Sequence, residues 1–291
     1  MRRAPYVEPL LFNRTHNSWT RTLWIGVTIF AVGVAVLTVT ENLKLFPAVM
    51  LIGSFLIPVV YVVFIFDHRR LSRMTLPTVA MSFFYGGVLG VFAAALLEPI
   101  FIRRLTFASA FEVGLIEEFA KIIGVLVVAQ TMAHTSELDG LIIGAAAGMG
   151  FAALESMGYT FTAFLGSKGS MSATVTVTLI RGLMAPLGHG TWTAILSAVL
   201  FRDSGTRGFR LTGGVIGAYL LVSALHGMWD GVPSLIGEFE LPGINLLLSE
   251  SIVGLLGIYI LWRVWREAVH RQVSRLRLHR IPRGLPGSQG R

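Results

Sequence analysis

Four consecutive apolar runs of this sequence carry ionisable side chains in their interiors. They are Glu117, Glu118 and Lys121 in the first of these runs and Glu155 in the second, then Arg181 and His189 in the third, and His226 and Asp230 in the fourth. An ionisable group at the centre of a membrane helix costs about 2.5–3.5 kcal/mol on insertion scales, so a set of them points to function. Their types suit hydrolysis: carboxylates and imidazoles take and give protons, and cations stabilise a developing oxyanion. Two histidines and a carboxylate also form a zinc set that leaves a position for water. The candidate ligands are His189, His226 and a carboxylate from Glu155 or Asp230. A His-Glu-x-x-His signature is absent, so a glutamate acting directly on water is the metal-free alternative. With no cysteine, thiolate nucleophiles and sulfur-ligated zinc are excluded.

The spacing predicts how helices would present these groups. Glu117 and Glu118 lie four and three residues before Lys121, Phe151 four before Glu155, and His226 four before Asp230, so each helix offers one polar stripe. At a rise of 1.5 Å per residue, Glu118 falls roughly 10 Å below the outer edge of its span, and Glu155 and His226 roughly 20 Å above the cytoplasmic edge of theirs. His189 falls near the middle. In a hydrocarbon layer of about 30 Å these depths converge on the middle and outer half. Separate stabilising ion pairs, the competing reading, have no need to converge. Gly140, Gly144 and Gly148 recur every four residues and predict a smooth face for close helix packing, which would orient Glu155 further along.

The elements that must hold this set are membrane helices. The chain has 291 residues, of which 54% are hydrophobic and only 14% charged. Its mean hydropathy is +0.69. Soluble domains carry about a quarter charged residues. The expected fold is all-α, a polytopic transmembrane helix bundle of about eight spans. The spans are read at roughly Leu23–Thr40, Leu45–Phe66, Thr78–Leu97, Phe111–Met132, Gly140–Leu165, Val177–Phe201, Gly213–Gly231 and Ile244–Trp262. The third and eighth read as plain hydrophobic anchors, and Glu98 and Glu112 as interfacial. Residues 1–22 form an N-terminal segment, 23–262 the membrane-embedded domain with a motif core at 111–231, and 263–291 a basic tail. The first span is read as retained rather than as a cleaved signal peptide.

A net charge of +8 can suggest nucleic acid, but here the arginines sit in loops and in the tail, so the partner they imply is the lipid bilayer. With the N-terminus in the cytoplasm, one side holds the arginines at 69, 70 and 73, at 202, 207 and 210, and from Arg263 onward; the other holds only Lys44, Arg103, Arg104 and Lys168. The expectation is a multi-pass protein of the cell membrane with both termini cytoplasmic.

Glu117-Glu118-Phe-Ala-Lys121 resembles the Glu-Glu-x-x-Lys motif of the PrsW family of intramembrane proteases. Phe151-Ala-Ala-Leu-Glu155 is similar to that family's Phe-x-x-x-Glu motif, Arg181 with Pro186 and Gly188-His189 to the next, and His226-Gly-Met-Trp-Asp230 to its His-Gly-x-x-Asp motif. All four occur in order across roughly Phe111–Gly231, and the remaining spans read as generic. A distant relation to CAAX-processing membrane proteases is also implied; those typically carry histidine where this chain has Glu155.

The resemblance implies that Glu117, Glu118, Glu155, His189, His226 and Asp230 are catalytic, with Lys121 and Arg181 supporting. In the metal version the cofactor is zinc, with His189, His226, Glu155 and Asp230 as candidate ligands, and in either version Glu117 or Glu118 is the expected general base. The substrate would be a membrane protein cut in or beside its span, such as a membrane-bound anti-sigma factor. The rival reading is a proton-coupled transporter that uses the same residues as a proton relay. Such transporters often show internal repeats, and none is evident here.

Overall fold

A computed structural model describes residues 17–69, 71–104, 106–130, 132, 136–204, 208–236 and 242–278. The ends of the N-terminal segment and of the basic tail lie outside the described residues. The described chain folds into α-helices joined by short connections: α1 Ser18–Thr40, α2 Phe46–Asp67, α3 Leu76–Phe101, α4 Phe107–Ala129, α5 Glu137–Gly166, α6 Met171–Met184, α7 His189–Ser204, α8 Gly213–Ile236 and α9 Pro242–Leu278. Seven segments are long and apolar enough to cross a membrane, with α6 and α7 forming one segment. Helix α4, on the expected fourth span, is not among them, because Glu112, Glu117, Glu118 and Lys121 lower its apolar character. The protein is therefore an all-α polytopic bundle with a helix on each expected span.

Helix starts follow local chemistry. Thr106 and Ser109 form a capping box at α4, and the side chains of Ser136 and Ser170 accept from the backbone N–H of Asp139 and Ala173 at α5 and α6. Each satisfies backbone donors that a helix N-terminus leaves free.

Helix α5 is the axis of the bundle, buried without interruption from Ser136 to Ala153. Between helices in lipid, apolar side chains gain little by leaving the lipid, so close packing between small residues sets helix positions. The expected glycine face does this. A methyl group on Gly140 or Gly144 would stand 2.5 Å from the carbonyl oxygen of Ser197 or Thr193 of α7, and one on Gly148 would strike the His189 carbonyl. Gly86 and Gly87 of α3 meet Ala147 and Gly150 of α5 on another side, and Gly114 of α4 meets Ser223 and His226 of α8. These contacts bring the helices that bear His189, Glu117 and His226 within reach of one another.

The sixth span is not the continuous helix expected over Val177–Phe201. It breaks at a 3-10 turn, Ala185–Leu187, and restarts at His189. Pro186 lacks an N–H and cannot continue the ladder. The break places Arg181 at the end of one helix and His189 at the start of the next.

Helix α9 runs to Leu278, well past Trp262. Its Arg271 donates to Glu137 at 3.0 Å and to Glu267 at 3.0 Å, and Gln272 donates to the Leu71 carbonyl. Glu137 is buried at the first turn of α5, so this contact ties the end of the last helix to the axis. Arg271→Ala is expected to lower the melting temperature by roughly 2–4 °C, because a partly exposed pair contributes about 1 kcal/mol. An unchanged melting curve in detergent would show that the contact holds nothing.

Candidate active site

The eight candidate residues join one network. Lys121 lies fully buried on α4. Its ammonium donates to Glu118 Oε1 at 2.8 Å, to Glu117 Oε2 at 3.0 Å and to His189 Nδ1 at 2.7 Å. An ammonium has no lone pair, so Nδ1 of His189 accepts, and its Nε2–H donates to Glu155 Oε2 at 3.0 Å. Arg181 donates to the same oxygen at 2.7 Å and lies over the Tyr159 ring at 3.9 Å. On the far side, His226 Nδ1 lies 3.1 Å from Glu118 Oε1, and its Nε2 lies 3.3 Å from Asp230 Oδ2 and 3.6 Å from Glu117 Oε2. Aromatic rings hold the imidazoles: Trp192 stacks on His226 at 4.7 Å, and Phe151 stands 5.2 Å from His189 and 4.1 Å beneath the Lys121 ammonium.

The two adjacent glutamates differ. Glu118 is fully buried, and its other oxygen accepts from Thr193 at 3.3 Å. Glu117 is on the wall of a cavity of about 620 Å³, with Glu98, Glu155, His189, Asp230 and Glu250. The cavity reaches Pro99 and Ile102, where α3 ends.

Three ligand atoms, one each from Glu117, His189 and His226, lie within 4.8 Å of one another. The carboxylate grouped with both histidines is thus Glu117, whereas Glu155 contacts His189 and Asp230 contacts His226. Two imidazoles and one carboxylate fit a catalytic zinc-type ion in number and kind of donor. The Lys121 ammonium competes with such an ion, since it already engages Glu117 Oε2 and His189 Nδ1.

The model of the family described as "PrsW family intramembrane metalloprotease" matches residues 75–265. The chain belongs to the PrsW family. No curated protein and no solved structure was found to match it. As a PrsW protein it is a multi-pass membrane protein of a protease family, whose substrates are membrane proteins. The match extends beyond the expected 111–231 and takes in α3 and most of α9. Those helices supply Glu98 and Glu250 to the cleft, which corrects their reading as plain anchors. Glu112, by contrast, is exposed. The available signal was an ionisable residue at each apolar run, Glu250 within the last and Glu98 directly after the third. Tyr159 also reaches the cleft, one helical turn after Glu155.

Proposed function

We propose that this protein hydrolyses a peptide bond of another membrane protein, in or beside that protein's span, and that Glu117 accepts the proton of the attacking water. The observation that carries the reading is the position of Glu117 on the cavity wall, within the charged network. Water entering the cavity loses a proton to the Glu117 carboxylate, and the resulting hydroxide adds to the carbonyl carbon. His226, with a carboxylate near each ring nitrogen, is placed to stabilise the oxyanion and to supply a proton to the leaving amine. The C–N bond then breaks to a carboxylic acid and an amine. Glu118 positions His226 and Lys121, while Glu155, Arg181 and Lys121 orient His189. Asp230 orients His226 from the cavity side.

The grouping of Glu117, His189 and His226 favours a second version in which these three hold a zinc ion. When bound, zinc supplies Lewis acidity and lowers the pKa of its water. In that version Lys121 gives up its contacts to Glu117 and His189 and keeps Glu118. A proton-coupled transporter is not favoured, because the chain belongs to a protease family.

The arginine distribution supports cytoplasmic termini, which turns the cavity mouth at Ile102 toward the outer face. A regulatory membrane protein such as an anti-sigma factor is the kind of substrate this reading implies.

The test joins two measurements on detergent-purified protein. A panel of tagged single-span membrane proteins in proteoliposomes should yield at least one cleaved product, mapped by mass spectrometry. Proton-driven solute uptake with no cleavage across the panel would overturn the protease reading. Elemental mass spectrometry beside His226→Ala distinguishes the versions. About one zinc per chain, lost in the variant, selects the zinc set. A folded, active and metal-free sample selects direct activation by Glu117.

A further inference from the structure

A second cavity of about 230 Å³ adjoins the acidic one. The two share Tyr159, Arg181, His189, Trp229 and Glu250, so they are chambers of one cleft. Their walls differ in chemistry. The second chamber is lined by Val177, Ile180 and Met184 of α6, with Ala152 of α5 and Ala185 of the broken turn beside them. Val177, Ile180 and Met184 follow helical spacing, so one face of α6 forms a wall that is apolar apart from Arg181. Ala152 and Ala185 are small and buried, which leaves the space unfilled. Of its polar groups, Tyr159, Arg181, His189 and Glu250 stand on the boundary with the acidic chamber, while Ser156 belongs to the second chamber and accepts from Arg181 Nε at 3.2 Å. There Arg181 is occupied by Glu155 at 2.7 Å and by the Tyr159 ring.

We propose that the second chamber is a specificity pocket that takes one large apolar side chain, such as Leu, Met or Phe, from a substrate residue flanking the scissile bond. This rests on the protease reading: the bond lies in the acidic chamber near Glu117, and the neighbouring side chain turns across the boundary beside His189. The cavity volume suits one such side chain. Among the described residues, no free cation lines the pocket to pair with an acidic side chain. A span in lipid offers apolar residues at most positions, so size and shape are what such a pocket can read. The side chain arrives from lipid rather than water and gains no transfer energy. Discrimination therefore comes from packing alone and stays at the lower end of what an apolar pocket achieves.

The test uses a single-span substrate that the wild type cleaves, with the residues on either side of the mapped cut changed in turn to Ala, Leu and Phe. On one side of the cut, Leu or Phe is expected to exceed Ala by about tenfold in kcat/KM. Val177→Trp fills the pocket from a residue that is outside the charged network, one turn before Arg181. It is expected to abolish that preference while keeping the Ala substrate within about threefold of wild type. Met184→Ala, which cannot overpack, is expected to shift the preference toward Phe. A flat response to side-chain size in the wild type, or a preference that both variants leave unchanged, overturns the pocket and makes the space a lipid-filled gap. Absence of any cleavage by the wild type would overturn the protease reading, and the pocket with it.

Discussion

Glu117→Gln is expected to reduce turnover by roughly 10²–10⁴-fold, the range for removing a general base, while the protein remains folded. Glutamine keeps the size of the side chain and accepts a hydrogen bond from Lys121, but its amide cannot take a proton from water. The substitution removes one carboxylate from a pair that shares the single ammonium of Lys121, at 3.0 and 2.8 Å, so the remaining Glu118–Lys121 pair is balanced. Stability should therefore change little. Glu118→Gln is the informative contrast. Glu118 is sealed from the cavity and bonded to Lys121, His226 and Thr193. Its loss should act through misplaced neighbours, with a smaller fall in turnover and a lower melting temperature. The measurement is initial cleavage rate beside thermal denaturation for both variants. Full activity in Glu117→Gln with none in Glu118→Gln would reverse the assignment.

The second large effect concerns folding. Lys121→Met leaves Glu117 and Glu118 adjacent and buried, two carboxylates with only the His226 imidazole beside them to carry positive charge. Breaking a buried ion pair by removing one partner costs about 3–5 kcal/mol, because a charge stays uncompensated. The protein should express poorly or denature well below the wild type. A second substitution, Glu118→Gln, in that background should recover part of the loss, since it removes one of the stranded carboxylates. Groups in one network couple by about 0.5–3 kcal/mol in a double-mutant cycle. If the double variant is as unstable as the sum of the singles, Lys121 does not stabilise the fold through these carboxylates. Salt should alter the effect little, since buried pairs are poorly screened.

Much of this architecture is legible without coordinates because it is local. Apolar runs of membrane length announce the helices: each of the eight runs read from the sequence carries helix, and seven segments are long and apolar enough to cross a membrane. Spacing of three and four residues places Glu117 and Glu118 beside Lys121, and His226 beside Asp230, on any helix that forms there. The glycines at 140, 144 and 148 announce a close contact without naming its partner. The order of the four motifs was enough to suggest the family.

What only the tertiary structure decided is relational. Adjacent residues on a helix point about 100° apart, so whether Glu117 or Glu118 meets the cavity depends on how α4 is rotated against α5 and α8. That rotation is set by backbone contacts at small residues such as Gly114, which no hydropathy pattern encodes. Lys121 reaches His189 across 68 positions of sequence, and Arg181 reaches Glu155 across 26. The 3-10 turn at Ala185–Leu187 separates Arg181 from His189 in what reads as one apolar run. Glu98 and Glu250 join the cleft from helices that look like plain anchors. Composition and spacing determined which residues this protein keeps inside the membrane. The packing of its helices determined which of them face one another, because in lipid contact geometry, rather than hydrophobicity, orients a helix.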